Sequence, residues 1–104
     1  MDAEGVRKLA LGLPDATEAP HFHFTSFRIG GRIFATMPPG SDLLHIFVPD
    51  EDREVAVAAH PGTCEALHWG KRTVGLRVDL TRAGDELIED LIRAAYEAKA
   101  QARR

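Results

Sequence analysis

Thr73-Val74-Gly75-Leu76-Arg77-Val78-Asp79-Leu80 alternates strictly, with apolar side chains at 74, 76, 78 and 80 and polar or minimal ones between. Successive side chains of a strand point to opposite sides of the sheet, so this spacing predicts a strand with one face buried and one wet. A one-faced sheet needs a cover. The residues that follow supply it, because Leu87, Ile88, Leu91, Ile92 and Ala95 form one apolar stripe on a helix from about Asp85 to the chain's end. Lys99, Arg103 and Arg104 suit the negative end of that helix.

Upstream of the strand, residues 63–72 read as a loop with a short edge strand. His60-Pro61-Gly62 stops a preceding helix that Asp50 caps, with Val55, Ala58 and Ala59 facing inward. From Thr17 to Pro49 the chain is rich in aromatic and β-branched residues. Gly30-Gly31 and Pro38-Pro39-Gly40 mark turns, so strands are expected at about 22–29, 32–37 and 43–48. Val6, Leu9, Ala10 and Leu13 lie on one face of a first helix, capped by Asp2 and ended by Gly12 in a left-handed conformation. The order α-βββ-α-(β)β-α is that of the α+β class, a two-layer antiparallel sheet with its helices on one face.

Size and composition agree with this expectation. The chain has 104 residues, suited to a single domain over 1–104 that buries roughly 60–70% of its unfolded surface. Cys64 is the sole cysteine, so the fold needs no internal disulfide. Neither a secretory start nor a run of ~18 apolar residues is present, and a soluble, cytoplasmic protein is expected.

Several motifs run in the order of one known family. Leu11-Gly12-Leu13-Pro14-Asp15-Ala16-Thr17-Glu18 resembles the "LPG-x-TE" opening of MmcQ/YjbR proteins. Phe27-Arg28-Ile29-Gly30-Gly31-Arg32-Ile33-Phe34-Ala35 resembles their "FRVGGKIFA" hairpin, and His60-Pro61-Gly62, the segment from Trp69 to Val78 and Ala95-Tyr96 follow in place. The resemblance implies a fold similar to that of secretion chaperones, and a label of DNA binding that rests on a winged arrangement of strands. One departure stands out. Where the family has "H-x-N-K", this chain has Leu67-His68-Trp69-Gly70-Lys71-Arg72, so the basic position carries over and the asparagine does not.

Net charge is −3, which disfavours a partner made of phosphate backbone. The distribution points the other way. The segments 20–49 and 71–82 hold six basic residues against two acidic ones, an excess of +4 that leaves −7 for the rest. If Ile33, Ala35, Leu44, Ile46, Val74, Leu76 and Val78 point to the helices, Arg32, Phe34, His45, Phe47 and Arg77 share the open face. Basic residues interleaved with aromatics on an open sheet can hold splayed bases. The candidate nucleic-acid site is therefore Arg28, Arg32, Lys71, Arg72, Arg77, Phe34 and Phe47, expected to bind DNA weakly and in a salt-sensitive way. A homodimer or a peptide-binding, chaperone-like module would use the same face. A small-molecule cleft is the other alternative, walled by His21, His23, His68 and Trp69.

Other chemistry finds little support. His21 and His23, two apart on one strand face, could start a metal site with His45, and Cys64-x3-His68 is a second pair; neither has the spacing of a structural zinc site. Ser26 and Ser41 lie in no elbow motif, and Asp50 to Glu54 read as a solvated helix start. A non-enzymatic protein without cofactor or metal is the expectation.

Overall fold

The computed structural model describes residues 1–102. In chain order the elements are α1 (Ala3–Leu11), β1 (Thr17–His21), β2 (Phe24–Ile29), β3 (Arg32–Met37), β4 (Leu43–Ile46), α2 (Asp50–Ala59), β5 (Cys64–Trp69), β6 (Arg72–Asp79) and α3 (Asp85–Gln101). The strands make one six-stranded sheet in the order β1-β2-β3-β4-β6-β5, and every neighbouring pair is antiparallel. The chain leaves the sheet after β4, runs through α2 and returns at the far edge as β5. The β5–β6 hairpin then places β6 against β4. The α+β class and the expected order of helices and sheet hold. Among the described residues no helix is long and apolar enough to cross a membrane. Arg103 and Arg104, expected to favour the end of the last helix, lie outside the described residues.

The core lies between the sheet and its helices. Phe27, Phe34, Leu44, Ile46, Leu76, Ile88 and Ile92 are fully buried there, with Val6 and Ala10 of α1 and Ala56 of α2 beside them. Each of the phenylalanine, leucine, isoleucine and valine side chains contributes roughly 1.5–3 kcal/mol by leaving water, and the alanines less. Register explains which residues meet: Phe27, Ala35, Ile46 and Leu76 are partners across four strands and so share the helix-facing side. Asp2 caps α1 as expected, accepting from the Gly5 N–H at 2.9 Å. The amino group of Met1 lies 2.7 Å from Asp85, tying the first helix to the start of the last.

Several local expectations are corrected. A strand at 17–21 precedes the expected ones, and Phe22-His23 form a turn rather than the start of a strand. Pro20 conceals this strand in the sequence, and an edge position is where a sheet tolerates proline. Gly12 has φ −75°, so the left-handed residue after α1 is Asp15, at φ 61°. Asp50 is the first residue of α2 and makes no cap; it pairs with Arg53 at 2.6 Å instead. Ala56 is the buried residue of α2, while Val55, Ala58 and Ala59 are exposed. The stretch at 63–72 holds a full six-residue edge strand.

Two register shifts decide the character of the open face. In the β2–β3 ladder Phe27 opposes Ala35 and Arg28 opposes Ile33, which leaves Phe34 as an extra residue. Such a bulge breaks the alternation, so neighbouring side chains can lean to one side. Phe34 is fully buried in the helix-side core, edge-on to Tyr96 of α3 with centroids 5.7 Å apart. It is therefore not part of an outer aromatic surface, and Ile33 takes the outer position in its place. The same happens in the β5–β6 ladder, where Leu67 opposes Gly75 and His68 opposes Thr73. Val74 is the extra residue there and lines the outer groove, not the core.

Candidate functional site: an aromatic trough with a basic rim

The side of the sheet opposite the helices is organised in rows. Ala19, Ser26, Thr36, His45, Arg77 and Glu65 are successive cross-strand partners over all six strands, a polar line across the middle of the face. The Ser26 hydroxyl donates to the Ala19 carbonyl at 2.6 Å and accepts from Arg28 Nε at 3.0 Å. Arg28 also reaches the Pro20 carbonyl at 3.4 Å, so its guanidinium fastens the edge strand β1. Arg77 Nε sits 2.8 Å from Glu65 Oε1, close enough for a coulombic pair although the N–H is not aligned as a hydrogen bond. His45 is nearly buried beside them. Burial first, and the Arg77 charge second, hold its imidazole pKa below the ordinary value, which favours the neutral ring.

An apolar strip flanks this row. The Phe47 ring lies over Gly75, where a Cβ would come 2.6 Å from the Ile46 carbonyl and 3.2 Å from Phe47 Cδ1. Trp69 meets Phe47 edge-on at 5.6 Å between centroids and remains 57% exposed. Phe24 packs at 5.9 Å from His45.

The sheet is curled strongly enough to bring its two edges over this face. A cavity of about 320 Å³ is lined by His21, Phe22, Phe24, Thr36 and Trp69, which come from both edge strands, the turn beside β1 and the strands between. A second cavity, of about 530 Å³, shares His21, Thr36 and Trp69 and extends the trough toward Ile33, Phe47, Arg72 and Lys99. No carboxylate lines either cavity among the described residues.

Phe22 is the residue that sequence reading missed. It is 89% exposed and its φ is +58°, in a two-residue turn closed by the His21–Phe24 pair. That conformation suits glycine, and a bulky residue held there carries roughly 1–2 kcal/mol of backbone strain. With no Gly, Asn or Asp at 21–23, the sequence offers no ordinary turn signal. Phe22→Gly should raise stability by ~1 kcal/mol, since strain is relieved and almost no burial is lost. Urea unfolding with an unchanged m-value would show this as a higher midpoint; a lower midpoint would mean that contacts of the ring outweigh the strain.

The expected site residues separate into groups. Arg32, Lys71 and Arg72 are exposed in two hairpins, and none forms an ion pair among the described residues. Of the three only Arg72 lines the groove; Arg32 pairs with the buried Ile29 and so starts from the helix side of the sheet, not from the open face where it was expected. Arg28 and Arg77 are on the open face but engaged, Phe47 forms its floor, and Phe34 is in the core. Of the expected cleft, His21 and Trp69 come together in the trough. His23 lies on the other side of the turn, next to a depression shared with Arg7 and Glu18. His68 is exposed, and its Nδ1 is 3.0 Å from the Thr73 hydroxyl.

The nucleophile and metal candidates are occupied structurally. The turn between His21 and His23 removes the face they were expected to share. Cys64 is buried, while His68 is on the surface. No group of three or more His, Cys, Asp or Glu side chains gathers among the described residues in a way that could hold a metal ion. Ser41 Oγ lies 3.3 Å from both the Pro38 carbonyl and the Leu43 N–H, which shapes a turn. Burial raises the Cys64 thiol pKa. Cys64 should therefore react with a thiol-directed disulfide reagent at least about tenfold more slowly in the folded protein than in denaturant. Equal rates would show that the thiol is open.

Comparison with known proteins agrees with the architecture. The fold is similar to the crystal structure of Deinococcus radiodurans protein DR2400, which carries a DUF419 family-model domain. The two share 20% identity and a TM-score of 0.80, over 97% of this chain and 86% of that one. No curated protein matches the sequence at a significant level. The YjbR family model matches residues 11–98, from the end of α1 through most of α3, and the chain belongs to the YjbR family.

Proposed function

We propose that this protein is a non-enzymatic binding module that takes single-stranded nucleic acid in its trough. Bases would lie against Phe22, Phe24 and Trp69, with phosphates toward Arg72 and Lys99 of the groove and the long side chains of Lys71 and Arg32 in the hairpins beside it. The observation that carries this reading is the pairing of exposed aromatic rings with a wall whose full charges are all cationic among the described residues. Aromatic faces stack on any base, at ~1–3 kcal/mol per base, and the cations provide a salt-sensitive attraction. A single strand suits this surface better than a duplex. The helices of the described residues pack against the other side of the sheet, with α3 reaching the groove only through Lys99, so this face offers no helix to a major groove.

The test is fluorescence anisotropy with a labelled single strand and a duplex of the same sequence, at about 50 and 200 mM salt. The single strand should bind more tightly, with affinity falling by ~0.7 log unit per log unit of salt for each phosphate contact. No binding at the lower salt would reject the proposal. A salt-insensitive homodimer that covers Phe22 and Trp69 would transfer the face to self-association.

A further inference from the structure

We infer that the pocket between Phe22 and Trp69 is a subsite for one heteroaromatic ring that carries a phosphate. The inference rests on the proposed use of the trough and narrows it to a defined ligand chemistry. About 320 Å³ is at the small end of ligand sites, enough for one ring system and little more. Four of its five lining side chains are aromatic: His21, Phe22, Phe24 and Trp69. The fifth, Thr36, is nearly buried and contributes the one hydroxyl of the lining.

Those groups set the chemistry. A ring seated between Phe22 and Trp69 would present its edge to the Thr36 hydroxyl and the His21 imidazole. A hydrocarbon ring would offer neither of them a hydrogen bond, whereas a ring with nitrogen or carbonyl groups at its edge could pair with both. The trough continues from Thr36 and Trp69 to Arg72 and Lys99, so an anionic substituent has a single direction to follow. The edge-on contact with Phe47 steadies the Trp69 ring while more than half of the residue stays open.

The strained turn is the second, independent observation. A phenylalanine at φ +58° with its ring 89% exposed gains nothing for the core, and residues held in such conformations cluster at ligand clamps. Here the strained backbone sets the Phe22 ring on the wall of the pocket opposite Trp69. The shared ligand chemistry has two sources, a free nucleotide or one unstacked base of a strand.

Trp69 is the only tryptophan, so its fluorescence reports on the pocket directly. A nucleoside 5′-monophosphate should quench it saturably, the matching nucleoside at least about tenfold more weakly, and inorganic phosphate not at all. Phe22→Ala, whose folding is checked by circular dichroism, should weaken the monophosphate at least about tenfold. Arg72→Ala should weaken the monophosphate but not the nucleoside. A four-nucleotide strand that binds more tightly than the monophosphate, and loses that gain when one position is abasic, would identify a base of a strand as the source. Equal affinities would identify the free nucleotide. Strand binding that Phe22→Ala leaves unchanged overturns the subsite and spares the single-strand proposal. Monophosphate binding without strand binding does the reverse. Absence of saturable quenching by either probe overturns both.

Discussion

Phe34→Ala is expected to lower the stability of the fold by ~3–5 kcal/mol, the range for truncating a buried phenylalanine. The ring is fully buried, lies edge-on to Tyr96, and occupies the space between β3 and α3. Alanine would leave a void on the side of the core where α3 contacts the sheet. Tyr96 would be affected as well, and its hydroxyl donates to the Pro14 carbonyl at 2.7 Å, so the loop after α1 would loosen with it. For a domain of this size each kcal/mol corresponds to ~4–8 °C in Tm. Urea titration of the two proteins decides the matter. A loss within ~0.5 kcal/mol, typical of surface positions, would place the ring on the open face and contradict the bulge.

The second large effect concerns the rim of the trough. Replacing Arg32, Lys71 and Arg72 together by alanine should weaken single-strand binding by ~10²–10³-fold at about 50 mM salt and flatten the salt dependence. With Arg72 and Lys99 lining the groove and Lys71 and Arg32 in the hairpins beside it, the slope of log K against log salt should reach about −2.8 if all four meet phosphates, and about −0.7 when only Lys99 remains. All three replaced residues are exposed, so the fold should lose little. Arg28→Ala is the contrasting control. Its guanidinium is committed to Ser26 and the Pro20 carbonyl, so it should loosen β1 while leaving the slope nearly unchanged. A triple variant with the parent's slope would show that the phosphates, if bound, lie elsewhere.

Much of this architecture is legible in the residues themselves. The alternation at Leu76, Val78 and Leu80 and the stripe at Ile88, Leu91, Ile92 and Ala95 are periodic signals, and periodicity survives in the sequence because burial selects one side of each element. Asp2 as a cap and His60-Pro61-Gly62 as a stop are likewise local, decided by atoms within a few residues. The basic excess at Arg32, Lys71 and Arg72 is also visible, since both hairpins announce themselves by glycine.

The trough itself was decided by the tertiary structure. An extra residue in one strand has meaning only against its partner, so the turn of Phe34 into the core and of Ile33 and Val74 to the open face follows from register across β2–β3 and β5–β6. Whether a cation is free or engaged depends in the same way on a neighbouring strand, as Glu65 does for Arg77 and the Pro20 carbonyl for Arg28. The meeting of Phe22 with Trp69 goes further, joining residues that sit 47 positions apart at opposite edges of the sheet. Composition and periodicity determined the layers of this protein, because each depends on one element's own spacing. The curl of six paired strands determined the site, because twist accumulates only when the strands are assembled.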